Sequence, residues 1–134
     1  MLAEHGTGVE WVAARAATLT STWGGQVLVE ETGTAGFLIP ALERAGAVVE
    51  TASRRTFVDA CAGLDAAVTS GALRHGNQPG LNDAVDVARW SSRGEAGQRV
   101  LSRRDPRVSP LVAAALAVQG LEATVPTGGW MVGL

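Results

Sequence analysis

The sequence predicts an α/β domain with a small, mostly parallel sheet flanked by helices. Three observations predict it. Val27-Leu28-Val29 is a short apolar run with two β-branched residues, which reads as a buried strand, and Glu30 and Glu31 close it. Beyond the turn Gly33-Thr34-Ala35-Gly36 comes a helical run over 37–45, then a second strand-like run over 47–51. Strand, helix and strand joined by short loops make a βαβ unit, whose strands run parallel with a right-handed crossover. Finally, 134 residues that are 46% hydrophobic and 18% charged suffice for one domain with its own core.

Taken in order, residues 1–8 are short and polar, the tail of a strand plus a turn. Val12, Ala16, Leu19 and Trp23 recur at helical spacing and predict a helix over 9–23, ended by Gly24-Gly25. Trp11 and Trp23 are expected in the core. Phe37, Leu38, Ala41, Leu42 and Ala45 form the apolar face of the next helix. Pro40 is tolerated there because it falls near the first turn, and Gly46 stops the helix. The longest helix is expected over 54–70, with the stripe Phe57, Cys61, Leu64 and Val68. An irregular polar connection over 72–80 leads to a helix from Leu81 to about Trp90, where core packing is favoured over base stacking for the indole. Residues 91–108 read as an Arg- and Ser-rich loop with one short strand near Val100. Ser109-Pro110 is a strong helix start, serine as N-cap and proline in the first turn, and that helix should stop at Gly120. The domain is placed at 1–121, with a Gly-rich tail over 122–134 in which Trp130 and Met131 are free to dock.

Composition excludes several function classes. All eleven cations are arginine, so a Walker-type phosphate loop and a Schiff-base lysine are both absent. Gly33-Thr34-Ala35-Gly36 is no nucleotide-binding fingerprint either. Cys61 is the single cysteine, which rules out an internal disulfide and argues against a thiolate zinc site; it reads as a small buried hydrophobe. The start Met-Leu-Ala-Glu-His lacks the basic end and apolar core of a secretory leader. The longest apolar run, 111–118, is far short of the ~20 residues that span a membrane, so no membrane partner is expected. The net charge of −2 makes no global case for nucleic acid. Locally, residues 1–50 hold two arginines against six acids, and residues 89–107 hold six arginines against two. The basic segment either neutralises the acidic one or grips phosphate. Arg99, Arg103 and Arg104 are its candidates for a DNA backbone, and Arg74-His75 reads as an exposed loop pair or as a second contact with a DNA phosphate. Acids at the carboxyl end of a strand stand where open parallel sheets carry their ligand sites. Glu30 and Glu31 are therefore candidates for chemistry, or else they cap the next helix and face solvent.

The ordered series formed by residues 27–46, the segment Gly71-Ala72-Leu73-Arg74-His75-Gly76 with Pro79 and Leu81, and Val108-Ser109-Pro110-Leu111-Val112-Ala113-Ala114 resembles the C-terminal nuclease domain of the phage terminase large subunit. The resemblance runs from about residue 8 to residue 121. It implies an RNase H-like fold, double-stranded DNA as partner, and a host-cytoplasmic place in genome packaging. It also implies a metal-dependent endonuclease that uses two Mg²⁺ or Mn²⁺ ions on the order of 4 Å apart. Carried over by position, Glu30 matches the later-strand acid, with Glu31 beside it. Asp105 is the nearest candidate for the acid near the C-terminal helix, where Arg107 and Ser109 hold the expected places. Glu30, Glu31 and Asp105 are thus the catalytic candidates, and Glu30 and Asp105 the metal ligands. Asp83 and Asp86 are expected in solvent. The family's first strands and their acid have no counterpart, so catalysis by this chain alone is expected to be impaired. The non-catalytic alternative is an assembly or DNA-contacting module of the same fold. Missing first strands would leave 27–30 with a bare edge, completed by a second copy, a partner chain or the N-terminal segment.

Overall fold

The computed structural model describes residues 8–93 and 97–124. The expectations for residues 1–7 and for the tail 125–134 lie outside the described residues.

The chain enters α1 (Val12–Trp23), passes to β1 (Val27–Glu30), and turns through a single 3-10 turn, Gly36–Leu38, into α2 (Ile39–Arg44). It returns in β2 (Val49–Ala52), which pairs with β1 in parallel, Val27 opposite Val49 and Glu30 opposite Ala52. The βαβ unit is therefore present, its helix shorter than the apolar face suggested. Gly46 ends it with φ +89, a conformation open to glycine and costly for a side chain. Next come α3 (Arg54–Thr69), α4 (Pro79–Val87), the antiparallel hairpin β3 (Trp90–Arg93) and β4 (Gln98–Leu101), and α5 (Ser109–Thr124). Ser53 caps α3 by accepting the Thr56 N–H at 3.1 Å.

Among the described residues there are two separate two-stranded sheets, one parallel and one antiparallel, in place of one mostly parallel sheet. The alternation along β1 divides the core in two. Val27 and Val29 meet α1 and α2 around the fully buried Leu42. Leu28 points the other way, into the cluster that Phe57, Ala60, Cys61 and Leu64 of α3 build with Val100, Leu101, Ala115 and Leu116. Helices thus cover both faces of the β1–β2 pair.

Several local expectations are corrected by this packing. Trp23 is 82% exposed at the last residue of α1, and Phe37 is 67% exposed in the 3-10 turn before α2. Val68 is exposed near the end of α3, where it lines a groove shared with α4 and α5. The predicted helix through Trp90 stops at Val87, and Trp90 opens a strand whose ring carries the Arg99 guanidinium 5.2 Å from its centroid. Helix α5 does not stop at Gly120. Gly120 lies beside β1: a methyl there would meet Leu28 Cδ2 at 3.4 Å, the near edge of ordinary contact. The packing of α5 on α3 and β1 outweighs the cost of about 1 kcal/mol for a helical glycine.

Cys61 is fully buried, and its Sγ accepts the Leu101 N–H at 3.5 Å. Burial pushes its pKa above the ordinary 9.0, against the smaller pulls of that hydrogen bond and of Arg103. Two outcomes follow. At pH 8 a thiol-alkylating reagent should label Cys61 only as fast as the protein unfolds. The folded thiol keeps its proton where the unfolded one loses it, so stability should fall as pH rises above about 9. Denaturant titrations at pH 7.5 and pH 10, compared with Cys61→Ala, check the sign.

Candidate functional site

A cleft of about 400 Å³ opens at the carboxyl end of β1. Its walls come from the end of β1, the following turn, the segment after β4 and the start of α5. Glu30 and Asp105, expected to act together, both line it. Each already has an arginine.

Glu30 is the buried charge of the cleft, 6% exposed. Its Oε2 accepts from Arg103 Nη2, which arrives from 73 residues further along the chain. The Arg103 guanidinium lies over the Phe57 ring, 3.9 Å from its centroid. Its Nε is buried with no hydrogen-bond partner among the described residues. Gly33 closes over the pair: a Cβ there would stand 2.9 Å from both Arg103 Nη1 and Glu30 Oε2. A side chain at 33 would have to displace the end of one of these two side chains. The result is a desolvated ion pair, held from below by an aromatic face and from above by backbone.

Asp105 serves as an N-cap. Its Oδ1 accepts the Arg107 N–H at 3.0 Å, starting a 3-10 turn, Pro106–Val108, that runs directly into α5. The same carboxylate takes Arg107 Nη2 at 2.7 Å, and this bonding holds its pKa below the ordinary carboxylate range. Ser109, expected as the cap, donates its hydroxyl to Pro106 O at 2.7 Å instead. Asp105-Pro106 carries the same sequence signal as Ser109-Pro110, one turn earlier. Glu31 is exposed and stands outside the cleft lining; its backbone N–H extends the β1–β2 pairing to Ala52 O. Asp83 and Asp86 are exposed on α4, as expected.

Among the described residues, no three His, Cys, Asp or Glu side chains converge as metal ligands. A pair of divalent ions needs several carboxylate oxygens, and here each of two carboxylates is already neutralised by a guanidinium. The donor set in this chain does not by itself fit a two-ion centre.

The expected DNA contacts fall on different surfaces. Arg103 is turned inward onto Glu30 and Phe57, which corrects its expected place on a DNA backbone. Arg99 lies on the hairpin with its Nη2 3.4 Å from Asp65 Oδ2. Arg104 is exposed beside the cleft. Arg74 and His75 are exposed at the rim of a separate apolar groove of about 470 Å³ between α3, α4 and α5. Sequence reading missed Gly33 as part of the cleft and Phe57 as the face on which Arg103 rests. Phe57 was legible as core, but which charge it supports depends on a residue far along the chain. Among the described residues, no helix is long and apolar enough to cross a membrane. Compared with known proteins, the chain matches no protein family, no curated protein and no solved structure.

Proposed function

We propose that the chain is a nuclease-type domain of a phage terminase large subunit, or a fragment of one. Its substrate is double-stranded DNA, its chemistry metal-dependent phosphodiester cleavage with Mg²⁺ or Mn²⁺, and its place the host cytoplasm during genome packaging. In this chain alone that chemistry is impaired. One observation supports the reading best: a buried carboxylate, Glu30, at the carboxyl end of a parallel strand, with a second, Asp105, in the same cleft. A pair of metal ions would need carboxylates from beyond this chain's own cleft, because Arg103 holds Glu30 and Arg107 holds Asp105. Exposed Arg74, His75 and Arg104 would meet phosphate, with an affinity that falls steeply with salt.

The double engagement of Glu30 by Arg103 and of Asp105 by Arg107 favours the second reading, a non-catalytic assembly or DNA-contacting module. A supercoiled-plasmid assay in Mn²⁺ separates the two. The expected result is slow nicking by the native chain that disappears in Glu30→Gln, with both proteins folded by circular dichroism. No nicking by either protein would leave the module reading in its place.

A further inference from the structure

Neither Glu30 nor Asp105 lines the apolar groove between α3, α4 and α5. Each helix gives that groove a pair of residues at helical spacing: Leu64 and Val68 from α3, Leu81 and Val85 from α4, Leu111 and Val118 from α5. Such spacing puts each pair on one face of its helix. Apolar faces turned toward one another ordinarily close as core. Here they stay apart: Val68 is 58% exposed and Val85 50% exposed, although both stand in the groove. At about 470 Å³ the space is of the size that takes a small molecule.

The polar side chains of the groove are gathered at one place. The chain leaving α3 folds back on it, the Leu73 N–H donating to Ala67 O at 3.1 Å, and this sets Arg74 and His75 at the rim. Both are exposed, and among the described residues neither side chain has an ion-pair or hydrogen-bonding partner. No carboxylate lines the groove to neutralise them; Asp83 and Asp86 of α4 stand outside its lining. A fitting occupant is therefore apolar along its length and anionic at one end. An extended peptide does not meet that description, because its N–H and C=O groups would face walls that carry no polar side chain. An alkyl chain has no such groups. From Leu111 to Val118 helix α5 rises about 10 Å, a length that a medium-length chain matches. A guanidinium takes a carboxylate through two parallel hydrogen bonds, and the His75 imidazole offers a further N–H. We infer that the groove binds a free aliphatic carboxylate of medium chain length, its chain along α5 between α3 and α4 and its carboxylate at Arg74 and His75. This inference stands independently of the nuclease reading, since none of the residues named for it lines the cleft at Glu30.

The test is an NMR titration of the full chain, without DNA or metal, using decanoate below its micelle concentration. Expected are saturable shifts of the Leu64, Val68, Leu81, Val85, Leu111 and Val118 methyl groups, with the cleft at Glu30 unmoved. Each methylene added between hexanoate and decanoate should tighten binding about threefold. Arg74→Gln should weaken decanoate about tenfold and leave decanol unchanged, the split that a charged end requires. Val85→Asp, at an exposed position, should abolish decanoate binding by placing a carboxylate in the groove, with the circular dichroism unchanged. Absence of saturable shifts would overturn the inference, as would equal affinity for decanoate and decyltrimethylammonium. So would groove shifts that follow protein concentration alone, the mark of a second copy, or that appear only with DNA, a peptide or anionic vesicles.

Discussion

Arg103→Met should lower the free energy of unfolding by about 3 kcal/mol, the cost of leaving one member of a buried ion pair alone. Methionine keeps most of the stem and its contact with Phe57, so the loss reports charge more than volume. Glu30 is 6% exposed, so its carboxylate stays desolvated when the guanidinium is removed. Arg103 itself is 29% exposed, which keeps the expected cost at the lower end of the range for such pairs. The double variant Glu30→Leu/Arg103→Met should recover much of the loss, because it removes both desolvated charges together. Urea titrations of the native, single and double variants give the comparison. A single-variant cost below about 0.5 kcal/mol would mean that the pair behaves as a surface bridge.

Phe57→Ala should cost about 4 kcal/mol, the largest effect expected of any single replacement discussed for this chain. The ring is buried at the centre of the cluster formed by α3, β4 and α5, and truncation leaves a cavity that rigid neighbours cannot fill. It also removes the face on which the Arg103 guanidinium rests. The two replacements should therefore be non-additive: the double variant Phe57→Ala/Arg103→Met should lose about 1 kcal/mol less than the sum of its parts. Strict additivity would show that the ring and the guanidinium are neighbours without coupling.

These two residues also mark how far local sequence could be read. Phe57, Cys61 and Leu64 recur at helical spacing, and they are buried on one side of α3 as that spacing requires. Val27-Leu28-Val29 and Val49 are apolar and mostly β-branched, beside short loops, and they pair in parallel. Such patterns concern neighbours a few residues apart, so the chain states them directly. The hairpin at 90–101 was only half legible, because Trp90-Ser91-Ser92-Arg93 carries no apolar alternation and becomes a strand only by pairing with β4. Gly120 is a local stop signal that α5 passes through, because the packing of the helix on α3 and β1 is not local.

The sequence by itself determined the mixed α/β class, the parallel β1–β2 pair, the helical stripes of the core, the lack of a disulfide within these 134 residues, and an acid at the carboxyl end of β1. Only the tertiary structure decided what that acid meets. It brought Arg103 onto Glu30 and Phe57, turned Asp105 into a helix cap, and left an apolar groove open between α3, α4 and α5. The reason is range. Periodicity and turn chemistry act within a few residues, whereas the partner of a buried charge, and the walls of a groove, are chosen by contacts between segments far apart in the chain.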